Sequence, residues 1–211
     1  MPKIVDLTHI LHNNVPVFPG SSKPLFQLQH NIPDDGYAET SINMLSHHGT
    51  HMDAPAHMIL NGKTLDRFEP SKFYGKAICI DCTGIGSVIE LSHLLKFEKT
   101  IQKVSFVLFY TGWSEKWGSE AYFSDFPVLS DEACKWISKF SLNGIGLDNI
   151  SADPINTRDY VNHYTILGKE MVIVENLANL RLLDRHEFTF SCFPLHYQNA
   201  DGAPVRVVAI F

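Results

Sequence analysis

The stretch SHHGTHMDAPAH, residues 46–57, brings together within eleven residues the side chains of His47, His51, Asp53 and His57. Neutral imidazole and carboxylate groups are ligands that zinc and similar divalent metals accept, and a catalytic metal site leaves one position open for water. The alternative is that these side chains only form hydrogen bonds within a loop. Because four such groups lie so close together, we interpret the stretch as a metal-binding segment.

The local structure of this segment follows from its small residues. His47 and His51 have the spacing of one helix face, but Gly49 and Pro55 disfavour a long helix there. We therefore place the segment at a transition from strand to loop, where small residues let the backbone pack closely around an ion. His48 is one step out of register, and we do not expect it to be a ligand.

A second group of candidate ligands lies downstream. His163 is followed twelve residues later by Glu175, which comes directly after the apolar run 171–174. A carboxylate at that point belongs either to an ion pair or to a site at the end of a buried strand. Together with the first segment, the two residues supply ligands for a second metal.

Outward from these segments, the chain alternates strands and helices. Runs rich in Val, Ile and Phe predict strands near residues 3–9, 24–31, 38–46, 76–82, 104–111, 143–148, 171–175, 188–197 and 203–210. Start and stop signals predict helices over 91–99, from Ser130 to about Phe140, and over 158–167. The alternation from 104 to 175 predicts an α/β fold with a mixed, partly parallel sheet. We expect one domain over residues 1–211, since no repeat or long linker interrupts the sequence.

Charge and hydropathy exclude several classes of partner. The 211 residues include 17 Lys plus Arg and 23 Asp plus Glu, giving a net charge of -6 and no electrostatic footprint for nucleic acid or an anionic membrane. Apolar stretches such as 104–110 are too short to span a membrane, and residues 1–3 lead into a strand-like segment rather than a signal sequence. We expect a cytoplasmic protein that acts on a small molecule.

The cysteines allow a metal or redox interpretation, but burial is the simpler one. Cys79 and Cys82 have the spacing of half a zinc ribbon or of a redox dithiol, yet no second close pair completes a four-thiolate site. Residues 76–83 have the pattern of a buried strand, in which cysteine is a common small apolar residue. We expect both thiols to be structural, and Cys192, in the strand-like run 188–193, as well.

The spacing His-x-x-x-His-x-Asp-x-x-x-His of residues 47–57 closely resembles the signature of the cyclase family of metal-dependent hydrolases, which includes bacterial kynurenine formamidases and isatin hydrolases. Further blocks that look like those of the family follow in family order, at residues 6–8, 15–20, 144–153, 167–168, 173–177 and 201–206. The resemblance covers nearly the whole chain. It implies a swivelling β/β/α domain that assembles as a homodimer or homotetramer.

The resemblance also implies a role for each candidate residue. The metal ligands that it implies are His47, His51, Asp53, His163 and Glu175. The first three would bind one metal, and Asp53 would also reach a second metal held by the last two. His57 would be the proton donor and acceptor. Because the ligands are nitrogen and oxygen without thiolate, we expect two Zn²⁺ ions per chain, with Mn²⁺ as the alternative.

These roles predict a metal-dependent amidohydrolase that cleaves a small formamide or a cyclic amide. Water activated by the metals would attack the amide carbon, and His57 would return a proton to the leaving nitrogen. One alternative is an arylformamidase that hydrolyses N-formylkynurenine in tryptophan breakdown. Another is a non-hydrolytic cyclase or dehydratase on the same scaffold, which would use the same ligands.

Phe18 is the candidate substrate-binding residue. It stands before Pro19 and Gly20 at the position where the formamidases of the family have a pocket tryptophan, and Ser21 replaces their usual acidic residue. An aromatic wall would favour a flat or apolar substrate by stacking. The alternative is an ordinary core aromatic before a turn.

The remaining histidines and Arg206 have weaker signals. His9 and His12 lie close in sequence to the expected pocket turn, so either could touch substrate. We expect a structural ion pair at Arg206. The histidines without a partner pattern, which we expect at surface or structural positions, are His30, His93, His186 and His196.

Overall fold

The computed structural model describes residues 2–183 and 187–211. His186, one of the histidines expected at a surface or structural position, lies outside the described residues. Across the described ranges, no helix combines the length and the apolar character that a membrane crossing requires.

Short strands and short helices alternate along the chain. The strands are β1 Ile4–Asp6, β2 Leu25–His30, β3 Glu39–Asn43, β4 His51–Asp53, β5 Tyr74–Asp81, β6 Val88–Ile89, β7 Phe106–Tyr110, β8 Val128–Leu129, β9 Gly144–Leu147, β10 Val172–Glu175, β11 Phe188–Ser191, β12 Gly202–Pro204 and β13 Val208–Ile210. The α-helices are α1 Ile32–Asp35, α2 Leu91–Leu94, α3 Glu98–Ile101, α4 Asp131–Ile137 and α5 Val161–Leu167. The 3-10 helices are Pro55–His57, Leu65–Arg67, Pro70–Phe73, Leu95–Phe97, Trp113–Lys116, Glu120–Phe123 and Leu180–Leu182.

In the described part of the chain, nine strands form one large sheet in the order β1-β13-β11-β5-β7-β9-β10-β4-β12. Its four central strands, β5, β7, β9 and β10, are parallel, and the strands on both sides of them are antiparallel. The central strands are rich in Val, Ile, Leu and Phe because both of their faces are buried. The structure confirms the predicted α/β fold with a mixed, partly parallel sheet.

The sheet is curled, and the C-terminal segment shows why. Strand β12 forms one edge, whereas β13 lies next to the other edge, yet only residues 205–207 separate the two strands. Three connecting residues reach across little more than about 10 Å. The two ends of the sheet are therefore close together, and residues near the C-terminus pack beside β4.

The two faces of the sheet bury two hydrophobic clusters. One cluster, within the curl, includes Met52, Phe106, Val174 and Phe190. The other lies under the helices and includes Ile173 of β10 together with residues of α4 and α5. Because side chains alternate along a strand, Glu175 shares the helix-covered face with Ile173. The polar residues of β4 and β10 therefore point towards α5.

The predicted helices are present but shorter. Ser130 caps α4 by accepting a hydrogen bond from the backbone N–H of Ala133, as predicted, and the helix ends at Ile137 rather than near Phe140. The helix predicted from residue 158 begins only at Val161, because Tyr160 adopts a left-handed backbone conformation, with φ of 45°. The helix predicted over 91–99 is a succession of α2, a 3-10 turn and α3.

Several predicted strands were wrong in extent: the strand predicted over 3–9 ends at Asp6, the one predicted over 38–46 ends at Asn43, and two more differ further. The single strand predicted over 203–210 is in fact β12 and β13. Between them the N–H of Val205 donates to the carbonyl of Thr50, and the N–H of Val207 donates to Oγ1 of Thr8. The strand predicted over 188–197 ends at Ser191, and Pro194, which has no N–H to donate, follows soon after.

Candidate metal centre

Strand β4 places two candidate ligands on one face. His51 and Asp53 are two residues apart, so both point towards the helix-covered side, while Met52 between them is buried in the opposite cluster. All three residues are at least nine-tenths buried. The expected strand-to-loop transition is present here as a strand followed by the 3-10 helix Pro55–His57.

Glu175 and His163 complete a compact group around Asp53. Glu175 of β10 lies directly opposite His51 in the antiparallel pair, and its Oε2 is 3.5 Å from Nε2 of His51. Nε2 of His51 is also 3.3 Å from Oδ1 of Asp53. From α5, Nε2 of His163 lies 3.4 Å from Oε1 of Glu175 and 3.8 Å from Oδ2 of Asp53. Two buried imidazoles thus face two buried carboxylates.

His47 joins the group from the loop before β4. Its Nδ1 is 2.7 Å from Oδ1 of Asp53, and its Nε2 is 3.0 Å from Oδ2 of Asp201, next to β12. Although burial favours the neutral ring, these two carboxylates raise the pKa of His47 to about 10. In turn, the hydrogen bond from His47 lowers the pKa of Asp201.

Hydrogen bonds orient the other two imidazoles. Nδ1 of His51 donates to the carbonyl of Gly49 at 2.9 Å, and Nδ1 of His163 donates to Oδ2 of Asp153 at 2.6 Å. Each ring therefore turns Nε2 towards the carboxylates. A carboxylate or carbonyl behind a histidine is the usual way in which proteins fix the tautomer and direction of a metal ligand. Asp153 also accepts hydrogen bonds from the backbone N–H groups of Asn162 and His163 at the start of α5.

We expect Asp153→Asn to weaken metal binding by about 10- to 100-fold, because its amide no longer orients and polarises His163 as the carboxylate does. Competition of the apo-protein against a chelating dye would measure the affinity. Asp159→Asn, at an exposed position of the same segment, is the matched control and should bind metal as the wild type does. Equal affinity in all three proteins would show that His163 is not a ligand.

Gly202 leaves room for the His47 ring. A Cβ built on Gly202 would lie 2.8 Å from Nε2 and 2.9 Å from Nδ1 of that ring, closer than non-bonded atoms approach. The backbone of Gly202 is held by its pairing with Asp53, so in Gly202→Ala the histidine must move. We expect the metal affinity to fall by about tenfold or more while the thermal unfolding temperature changes little. An unchanged affinity would mean that the position of His47 does not matter for metal binding.

The donor set suits a divalent cation. Asp53 is 1% exposed, and its Oδ2 has no hydrogen-bond partner among the described residues, although buried carboxylate oxygens are normally satisfied. Burial opposes ionisation of Asp53, but His51 and His47 hold its pKa well below its usual range. Burial would lower the pKa of His163, but its hydrogen bonds to Asp153 and Glu175 outweigh this effect and raise the pKa to about 10. Protons on the imidazoles thus balance the negative charge of the buried carboxylates. A bound cation would replace these protons and balance the same charge.

The potential ligand atoms form two groups that share Asp53. In each group they lie within 4.8 Å of one another; one contains His47, Asp53 and His57, and the other contains His51, Asp53 and Glu175. The predicted grouping was different, with His47 and His51 on one metal and His57 on none. His163 lies next to the second group through its contacts with Asp53 and Glu175.

His57 ends the 3-10 helix that follows β4, where Pro55 sets the first turn. Its ring centroid is 4.0 Å from that of His47 and 6.1 Å from that of His163. Burial lowers the pKa of His57 to about 4, so the imidazole is neutral at pH 7. A neutral ring beside the buried carboxylates can accept a proton and later return it.

A cleft of about 300 Å³ opens above this centre. This volume is at the lower end of the range of about 300–1,000 Å³ that is typical of small-ligand pockets. Phe18, the candidate substrate-binding residue, lines the cleft and is 36% exposed. Other lining residues that are apolar or aromatic are Pro16, Leu45, Met58, Ile150 and Tyr160.

His48 also lines the cleft, although the sequence assigned it no role. It is 2% exposed. Its Nδ1 accepts a hydrogen bond from the backbone N–H of Leu45 at 3.3 Å, so the ring proton is on Nε2. The carbonyl of Ser22 lies near the ring, yet Nε2 has no hydrogen-bond partner of good geometry among the described residues.

Several other residues that the sequence analysis considered for a function lie away from the candidate metal centre. His9 stacks on Trp117 with ring centroids 4.0 Å apart, and neither His9 nor His12 is among the described residues that line the cleft. Burial raises the pKa of the Cys79 and Cys82 thiols, which disfavours the thiolate needed for metal or redox chemistry. Arg206 forms the expected ion pair, with Nη2 2.7 Å from Oδ2 of Asp6.

Comparison with known proteins gives consistent results. A family model described as "Putative cyclase" matches residues 5–154. The chain is 25% identical over 209 residues to a kynurenine formamidase of Bacillus cereus, covering 97% of this chain and 95% of the relative. An isatin hydrolase bound to the product analogue thioisatinate superposes with a TM-score of 0.90 at 20% identity, covering 100% of this chain and 92% of the other. Isatin hydrolase A from Labrenzia aggregata, bound to benzyl benzoate, gives 0.88 at 25% identity, covering 99% and 93%.

Proposed function

Because this chain belongs to the cyclase family, we propose that it is a metal-dependent hydrolase of amide C–N bonds other than peptide bonds. The proposal depends chiefly on the environment of Asp53. This buried carboxylate lies between two sets of imidazoles, and one of its oxygens has no hydrogen-bond partner in the described structure. The kynurenine formamidase and isatin hydrolase relatives support an amide as the substrate, with aryl formamides and cyclic aryl amides as the first candidates.

The proposed ligands are His47, His51, Asp53, His163 and Glu175. We propose Zn²⁺, two ions per chain, with Mn²⁺ as the alternative, since both accept imidazole and carboxylate. When bound, such ions polarise an amide carbonyl and lower the pKa of water. The two groups of ligand atoms that share Asp53 support two ions rather than one.

The chain's own residues would bind the amide and move its protons. The apolar wall at Phe18 would hold a flat substrate against the floor formed by the ligands. His57, beside His47 and neutral in this environment, would take a proton at its free ring nitrogen and deliver it to the leaving nitrogen of the amide.

We also propose a homodimer or homotetramer in the cytoplasm. The hairpin of β2, α1 and β3 has no buried residue, and Leu28, Ile32 and Ile42 on it are each at least 60% exposed. An isolated hairpin is only marginally stable in water, so covering by another subunit would stabilise it. The four cysteines are free thiols, as in proteins of a reducing compartment.

Formate release from formanilide tests the proposed function. The purified protein should release formate, lose that activity on removal of metal with a chelator, and regain it on addition of Zn²⁺ or Mn²⁺. Isatin, as the cyclic amide, should open under the same conditions. Turnover that continues undiminished in the metal-free protein would contradict the proposal, as would failure to hydrolyse any formamide or cyclic amide.

A further inference from the structure

The walls of the cleft differ in chemistry from its floor. The floor carries the imidazoles and carboxylates of the candidate metal centre. Above it, apolar side chains line much of the cleft: Pro16, Phe18, Leu45, Met58 and Ile150. The part of the substrate that projects from the floor therefore meets carbon on several sides.

The walls also differ from the floor in charge. Among the described residues that line the cleft, none is lysine or arginine. A carboxylate that enters an apolar cleft loses hydration, and without a paired cation it recovers little of that loss. Any positive charge that the proposed metals leave unbalanced would lie at the floor, beside the reacting bond, and not in the walls.

Besides the candidate ligands and His57, the polar side chains that line the cleft are Ser21, His48, Ser151, Tyr160 and Asn176. In His48 the backbone N–H of Leu45 donates to Nδ1, which leaves the ring proton on Nε2, near the carbonyl of Ser22. A neutral donor can pair with a carbonyl oxygen of a substrate at little cost. It does not supply the charge that a carboxylate would need.

From these observations we propose that the cleft selects amides whose remaining part is uncharged: neutral aryl or alkyl amides rather than amides that carry a carboxylate. This inference rests on the proposed amide hydrolysis and adds the substrate class. N-formylkynurenine, which bears an α-carboxylate and an α-ammonium group, lies outside that class.

Two matched substrates test the inference. 3-Formamidobenzamide and 3-formamidobenzoate have nearly the same shape, but only the second is charged. We expect kcat/KM for the benzamide to exceed that for the benzoate by about tenfold or more, because only the carboxylate has to give up its hydration. Equal values, or a preference for the benzoate, would overturn the inference and leave amide hydrolysis standing. If neither compound releases formate and formanilide and isatin are also inert, the proposed function itself fails.

A positive charge introduced into the cleft wall provides a second, independent test of the inference. Leu45 lines the cleft and is 48% exposed, so Leu45→Arg should fold and should bring a cation beside the substrate. We expect the preference for the benzamide to shrink by about tenfold, since the arginine pairs with the carboxylate. Leu95→Arg is the control, because Leu95 is 50% exposed and does not line the cleft. An equal change in both variants, or no change in Leu45→Arg, would contradict the proposal.

Discussion

Asp53→Ala is expected to abolish metal retention and, with it, amide hydrolysis. Asp53 is the residue that both groups of ligand atoms share, so its loss affects every proposed ion. Removal of a partner behind a ligand typically weakens metal binding by about 10- to 100-fold, and we expect the loss of this shared ligand to exceed that range. Elemental analysis after gel filtration, together with the rate of formate release, would measure both effects.

Two comparisons isolate the cause of that loss. Asp53→Asn keeps the volume of the side chain but removes its charge, and it should also fail to retain metal. Asp131→Ala removes an exposed carboxylate in the first turn of α4 and should keep both metal and activity. Circular dichroism would verify that each variant is folded. Full metal content in folded Asp53→Asn would refute the shared-ligand role.

His57→Ala is expected to separate catalysis from metal binding. If His57 moves the proton, its removal should lower kcat by about 10²- to 10⁴-fold, the usual contribution of a general acid or base. Metal content should stay at the wild-type level, because the remaining ligand atoms are unchanged. The measurement is kcat for formanilide alongside elemental analysis of the same sample.

His57 also lies within one of the two groups of ligand atoms, which gives this experiment a second possible result. A loss of one ion per chain in His57→Ala would identify His57 as a ligand and contradict its assignment as the base. Full activity would exclude both roles. His93→Ala is the control, since Nε2 of His93 donates to the carbonyl of Asp81 and the ring does not line the cleft.

Local signals predicted much of the fold. The buried strands β7, β9 and β10 are visible as runs of Val, Ile, Leu and Phe, and Ser130 marks the start of α4 as an N-cap. The break between β12 and β13 is not visible in this way, because it depends on hydrogen bonds from Val205 and Val207 to residues in the N-terminal half of the chain. The curl of the sheet depends on that same break.

At the site, the sequence predicted the candidate ligands but not the residues that orient them by hydrogen bonds. Asp153 and Asp201 lie in blocks that resemble those of the family, yet neither carries a signal for its partner. Asp153 meets His163 only because α5 packs back across ten residues, and Asp201 reaches His47 across 154 residues. Contacts of this length depend on strand order and register. His48 was set aside because it is out of register with the ligands, yet it lines the same cleft as they do.

We propose that bound metal and amide hydrolysis belong to one site. The most direct measurement is a titration of the metal-free protein with Zn²⁺ or Mn²⁺, in which formate release from formanilide is followed against the number of ions bound per chain. We expect no turnover without metal and a rise in turnover that reaches its plateau at two ions per chain. Fewer than one ion per chain at saturation, or full turnover before any ion is bound, would contradict it.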